Sequence, residues 1–268
     1  MFSDEASPST LIRTVEEGYV SEERLDESVK YLLTEMMELG LFENPYVEEE
    51  RAKAITKDAT SQEKADAAHR KSIVLLRNDG DVLPLKDESL ESTRLYIEVM
   101  QKTDAETSTA EVKDIIRDYD PAITVTDDLD ESTHALLFIS PLPVPDRPDA
   151  PLSVALDAAT GIDTDRIKMI ERKVPTILSV NMTNPWLINE IEPDAAALLA
   201  TFGIKHEALI DVLQGRHNPS GKLPFTLPSS QEVLSKSPGD IPGHAQEKGY
   251  VYRDQHGNEY GFGYGKSY

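Results

Sequence analysis

Groups able to do chemistry are thinly spread along this chain, and most recognisable arrangements of them are incomplete. The six histidines, at 69, 134, 206, 217, 244 and 256, show no His-x-x-x-His or other ligand spacing, and no Gly-x-Ser-x-Gly turn presents a serine nucleophile. With no cysteine, thiolate catalysis, disulfides and Cys-ligated zinc or iron-sulfur centres are excluded. Gly265-Lys266-Ser267 resembles the end of a phosphate-binding loop, but Gly261 stands too close and no helix follows in the sequence to supply the N-terminal amides. Gly215 to Lys222 fails in the same way, with Leu223 where a hydroxyl is needed. Both read as turns. Trp186, Tyr250, Tyr252, Tyr260, Tyr264 and Tyr268 could stack on sugar faces, although aromatic side chains beside turns more often pack in a core. No cofactor is implied by any of these patterns.

One segment stands out by position. Residues 140 to 162 hold five prolines (Pro141, Pro143, Pro145, Pro148, Pro151) and no helical period, and they follow a strand pattern at Ala135 to Ile139. Loops beyond about 12 to 15 residues are usually functional or disordered, and in open parallel sheets ligands gather at the carboxyl ends of strands. A binding role is therefore weighed against a proline-stiffened surface loop.

The elements that must position this loop alternate. Apolar runs at Ile73 to Leu76, Leu95 to Val99, Ile123 to Val125, Ala135 to Ile139, Thr176 to Val180 and Ala195 to Ala200 predict six strands. Helical patterns at about 108 to 118, 164 to 173, 185 to 191 and 205 to 214 fall between them, Asn184-Pro185 reading as an N-cap and first helical residue. The expectation is an α/β fold: a mainly parallel six-stranded sheet with helices on both faces, occupying residues 60–268. Residues 1–59 are expected to be a helical segment. There Ser21 is a plausible N-cap, Glu22 and Glu23 favour the positive helix end, and Leu25, Val29, Leu32, Leu33, Met36 and Leu39 repeat at helical spacing before Gly40. Thr60 with Glu63 has the pattern of a capping box for a second helix. Ser229 to Gln246 reads as an exposed excursion.

Asp and Glu number 49 against 27 Lys and Arg, and a net charge of -22 repels phosphate backbones and anionic membranes. Neither nucleic acid nor membrane is an expected partner. No run approaches the roughly 18 to 20 apolar residues of a spanning helix, and the first residues lack the basic and apolar regions of a secretory signal. The cytoplasm is the expected location, with secretion directed by an upstream segment left open.

Several segments, in order, resemble the C-terminal domain of family 3 glycoside hydrolases, which include β-glucosidases and β-xylosidases. Leu39-Gly40-Leu41-Phe42-Glu43-Asn44-Pro45-Tyr46-Val47 is similar to the stretch leaving that family's barrel. Ser72-Ile73-Val74-Leu75-Leu76-Arg77-Asn78 with Leu83-Pro84-Leu85 resembles its first sandwich strand and turn. The most specific match is Asp211-Val212-Leu213-Gln214-Gly215 followed by Asn218-Pro219-Ser220-Gly221-Lys222-Leu223-Pro224-Phe225. Tyr260-Gly261-Phe262-Gly263-Tyr264-Gly265 is similar to the family's glycine-aromatic close, with Lys266 where an apolar residue is usual.

The resemblance implies a retaining glycosidase acting on a β-glycoside, in which a barrel aspartate attacks the sugar and a sandwich-loop carboxylic acid protonates the leaving oxygen. A barrel needs about 250 residues, more than precede the sandwich here, so the resemblance implies either a fragment of a longer gene product or the small half of a split enzyme with a separate barrel-domain chain as partner, and the chain is expected to be inactive alone. The acid is commonly Glu, yet none lies between Glu131 and Glu171. By position the resemblance points to Asp146, and less to Asp149, as acid/base or substrate contact, although Arg147 beside them would favour the ionised form. A non-catalytic carbohydrate-binding or scaffold module is the alternative. A nucleotide-binding doubly wound domain is disfavoured by the missing glycine fingerprint.

Overall fold

The computed structural model describes residues 8–85, 93–144, 153–236 and 248–268. It divides into two compact units, Met1–Ser61 and Gln62–Tyr268. The first carries helices α1 (Pro8–Glu16), α2 (Glu22–Glu38) and α3 (Glu49–Thr56), and α4 (Ala59–Ser72) begins in it. Ser21 caps α2 as expected, its hydroxyl accepting the Arg24 N–H at 3.3 Å. The helix stops where Gly40 takes a φ of +69° and its N–H bonds the Met37 carbonyl at 2.9 Å. None of α1, α2 or α3 buries a residue, and Val29, Leu32, Leu33 and Met36 leave α2 with an exposed apolar stripe. The cap of α4 differs from the expected Thr60. Asp58 accepts the Ser61 N–H at 2.8 Å, because a carboxylate just ahead of the first turn reaches an orphan amide that Thr60, already inside the helix, cannot.

The second unit is built on six strands: β1 (Val74–Asn78), β2 (Arg94–Met100), β3 (Thr124–Thr126), β4 (His134–Ile139), β5 (Thr176–Asn181) and β6 (Ala197–Thr201). Their order is β1-β6-β5-β4-β2-β3, with β1 antiparallel to β6 and every other pair parallel. An antiparallel edge strand on an otherwise parallel sheet is a common compromise.

The central strands are apolar at successive positions because both faces are covered. On one face Leu95, Ile97, Leu136, Phe138, Ile177 and Leu199 meet α5 (Ala105–Tyr119) through Val112 and Ile116, and α7 (His206–Leu213). On the other, Leu137, Ile139, Leu178, Val180 and Leu198 meet α6 (Thr164–Glu171) through Ile167 and Ile170, together with Trp186, Leu223, Leu227, Tyr252 and Tyr260. A short α8 (Gln231–Lys236) lies inside the segment expected to be an exposed excursion.

The helix expected at 185 to 191 is absent. Trp186, Ile188 and Ile191 are buried in one cluster, the indole N–H donates to the Asn181 carbonyl at 3.2 Å, and Leu187 forms a parallel bridge with Ala155. Tertiary pairing of an extended backbone has overridden an apolar spacing that either conformation accommodates. The two glycine-rich segments that resemble phosphate loops are packing devices. Lys266 bridges Leu75 in antiparallel fashion, and a Cβ on Gly221 would stand 2.4 Å from the Ile73 carbonyl oxygen. No helix among the described residues is long and apolar enough to cross a membrane.

Candidate sugar-site loop at the carboxyl edge

β2, β4, β5 and β6 all end at one edge of the sheet, at Met100, Ile139, Asn181 and Thr201. The proline-rich segment leaves β4 there, and both of its legs are pinned. On the outgoing leg the Ser140 N–H donates to the Met100 carbonyl at 2.9 Å and the Leu142 N–H to the Thr160 carbonyl at 3.0 Å.

The returning leg, from Ser153 to Ile162, is organised around Thr160, which is 0% exposed. Its hydroxyl accepts the Asp157 N–H at 2.9 Å and lies within donating reach of the Ala155 and Asp157 carbonyls, at 3.1 and 2.9 Å. Asp157 turns back on the same loop, Oδ1 accepting the Ala159 and Thr160 amides at 2.9 and 3.1 Å. That local turn uses the side chain as a backbone substitute and leaves it poorly placed for other work. Gly161 then brings the chain against the end of β2. Its φ is +87°, and an added Cβ would sit 2.5 Å from Lys102 Cα and N. Val154 N–H donates to Gln231 Oε1 at 3.2 Å, and its carbonyl accepts the Leu187 amide at 2.9 Å.

The two candidate residues, Asp146 and Asp149, lie outside the described residues, as does Arg147. Neither Thr160, Gly161 nor Gln231 was singled out by sequence. The available signal was local: Asp157 followed three residues on by Thr160 and then by a glycine is an Asx-turn pattern.

Beside the returning leg a cleft of ≈ 450 Å³ is lined by Gln101, Lys102, Asp157, Gly161, Asp163 and Thr164, among others. Asp163 caps α6, its carboxylate accepting the Arg166 N–H at 2.9 Å. Its lining mixes polar and apolar surface, Lys102 and the acidic Asp157, Asp163 and Asp165 with Ala158 and Ile162. A second cleft, of ≈ 490 Å³, opens along the edge of β2 beyond the short β3, but its charges already serve one another. Arg166 pairs with Glu98 at 2.9 Å and Lys113 with Asp127 at 2.7 Å. Among the described residues no cluster of three or more His, Asp or Glu side chains could hold a metal ion.

The buried aromatic residues do not line this edge as a stacking platform. Trp186 and Tyr260 are fully enclosed, and Tyr252 and Tyr260 meet edge to face at 5.6 Å in the core. Burial pushes His134 and His206 below the usual histidine range, and His206 spends its ring against Phe138 at 5.0 Å.

At the opposite, amino edge lies a buried ionic network that sequence reading missed. Arg77 Nη1 donates to Glu192 Oε1 at 2.7 Å and to the Glu192 carbonyl at 3.1 Å, and Nη2 pairs with Asp79. The Tyr252 and Tyr260 hydroxyls donate to the two oxygens of Glu192 at 2.8 and 3.1 Å. These bonds tie the segment 248–264 to the sheet.

A doubly covered, mainly parallel sheet with a pinned loop at its carboxyl edge and a cleft beside it defines an α/β sandwich domain. The model of the glycosyl hydrolase family 3 C-terminal domain matches residues 91–268, and the chain belongs to that family. It is 34% identical over 262 residues to a probable β-glucosidase C of Aspergillus flavus, an alignment covering 97% of this chain and 39% of that protein. It is 29% identical to a periplasmic β-glucosidase/β-xylosidase of Dickeya chrysanthemi, over 90% of this chain and 35% of that one. In fold it is similar to a β-glucosidase of Listeria innocua crystallised with glucose, with a TM-score of 0.61 and 24% identity, over 96% of this chain and 40% of that one. The chain thus spans about two fifths of the length of these relatives.

Proposed function

We propose that this chain supplies the sandwich half of a β-glycosidase, completing the sugar site of a barrel domain with residues 140 to 162, and that Asp146 is the loop's acid/base or substrate contact. The observation that carries this reading is the double anchoring of the loop at the carboxyl edge. The two legs, held at Ser140 and Leu142 on one side and at Asp157 and Thr160 on the other, are fixed at the carboxyl edge, and fixed positioning is what presenting a carboxyl across a glycosidic bond requires. The names of the relatives point to a β-glucoside or β-xyloside as substrate.

The test is reconstitution. With a family 3 barrel domain supplied in trans, Asp146→Asn lowers turnover strongly on glycosides with poor leaving groups and weakly on nitrophenyl glycosides, because only the former need protonation. A small, uniform loss on both classes removes Asp146 from the role of proton donor.

A second reading is favoured by one observation, the absence of Glu between Glu131 and Glu171. The domain then binds carbohydrate without acting on it. Titration calorimetry of the chain with mono- and oligosaccharides, showing binding without hydrolysis in the presence of the barrel, selects this reading.

A further inference from the structure

Glu171, the last residue of α6, has both carboxyl oxygens shielded from water with no hydrogen-bond partner among the described residues. The charged groups around it are Asp194 ahead of β6, Lys168 on its own helix, Arg77 on β1, and Glu192. Lys168 is held by Glu190 at 2.7 Å. Arg77 has committed Nη1 to Glu192 and Nη2 to Asp79, and its Nε is also buried without a partner. An orphan donor and two orphan acceptors thus belong to side chains that already feel each other's charge.

We infer that Glu171 is a pH sensor for the segment 248–264: while it holds a proton Arg77 serves Glu192, and once ionised it competes for Arg77 and slackens the Glu192 anchor of Tyr252 and Tyr260. One guanidinium is then shared between Glu171 and Glu192 in addition to Asp79. Burial, with Asp194 adding like-charge repulsion, pushes Glu171 up to about 8, so the proton is held at neutral pH. The sign follows. In the unfolded chain the group ionises near 4.5, so between that value and about 8 the folded state binds the extra proton and its stability falls as pH rises. Above about 8 the folded carboxyl itself ionises and the local rearrangement occurs. Tyr252 and Tyr260 are pushed well above the usual tyrosine range by burial and keep their protons throughout this window. His256 faces Asp79 at 3.4 Å and is half exposed, and His256→Gln separates any contribution from that pair.

Main-chain hydrogen exchange on the whole chain, corrected for the intrinsic base-catalysed rate, reads the switch. From pH 7 to 9.5 the opening constant at Tyr252, Tyr260 and Leu227 rises by roughly tenfold in the parent, as the release of one linked proton gives over a tenfold fall in proton activity, and stays flat in Glu171→Gln. His256→Gln behaves like the parent. Equal slopes in parent and Glu171→Gln, or none in either, overturn the inference. Should Glu171→Gln fail to fold, carbon-13 titration of the parent decides: a Glu171 midpoint in the ordinary carboxylate range refutes the sensor, and one near 8 supports it.

Discussion

Gly161→Ala is the sharpest probe of how the loop is set against the sheet. Two penalties meet at this position. The backbone sits at φ +87°, where an L-residue is strained by about 1–2 kcal/mol, and the new methyl would stand 2.5 Å from Lys102 backbone atoms that no rotamer change can move. Relieving that overlap shifts either the returning leg or the end of β2, at an overpacking cost of about 1–3 kcal/mol. Gly249 supplies the control. It has the same φ, +87°, and nothing among the described residues within 4 Å of an added Cβ, so Gly249→Ala carries the backbone strain alone. The gain from stiffening the unfolded chain, about 0.4–1 kcal/mol, is common to both and cancels in the difference. Urea unfolding followed by circular dichroism should place Gly161→Ala below Gly249→Ala by about 1–3 kcal/mol. Equal destabilisation in the two variants would refute the close approach of the loop to β2.

Three further outcomes are expected. The 268-residue chain, which spans about two fifths of the length of its relatives, is expected to hydrolyse no β-glycoside on its own; turnover of nitrophenyl β-glucoside that survives repurification contradicts this. The exposed stripe of α2 gains about 1.5–3 kcal/mol per side chain only when covered, so amides of α2 should exchange faster than those of Thr176 to Val180 in a monomer, and equal protection argues against an uncovered face. Trp186→Phe removes the indole bond to Asn181 and leaves a void in a fully buried site, costing about 2–4 kcal/mol; a midpoint unchanged in denaturant contradicts that packing role.

The sheet was legible because its strands are short apolar runs bounded by prolines and helical periods, and all six form where the patterns placed them. The antiparallel direction of β1 was not legible, since apolar composition carries no arrow. The Trp186 to Ile191 segment misled for a related reason: its spacing suits a helix, and only the neighbouring strand-like pair at Ala155 decides for extended backbone. The candidate loop was half legible. Proline content marked the loop, while the Thr160 and Gly161 anchors depend on geometry between β2 and the returning leg. The amino-edge network left a single trace, Arg77 inside an apolar strand, because Glu192, Tyr252 and Tyr260 come from distant segments.

The edge strand β1 has a consequence for the order in which the molecule can be made. Among the described residues its ladder partner is β6, and its outer side is bridged by Lys266, so this early strand of the sheet is completed by residues that come much later in the chain. At about 5–20 residues per second of translation, Val74 waits on the order of ten seconds for Ala200 to be added. During that interval Ile73, Val74, Leu75 and Leu76, all fully buried in the finished fold, stand as an unpaired apolar strand. Such an edge is a template for pairing with other chains. Nascent β1 is therefore the segment of this domain that a chaperone should hold on the ribosome, and slowing translation between β1 and β6 should lower the yield of folded chain more than slowing it after β6.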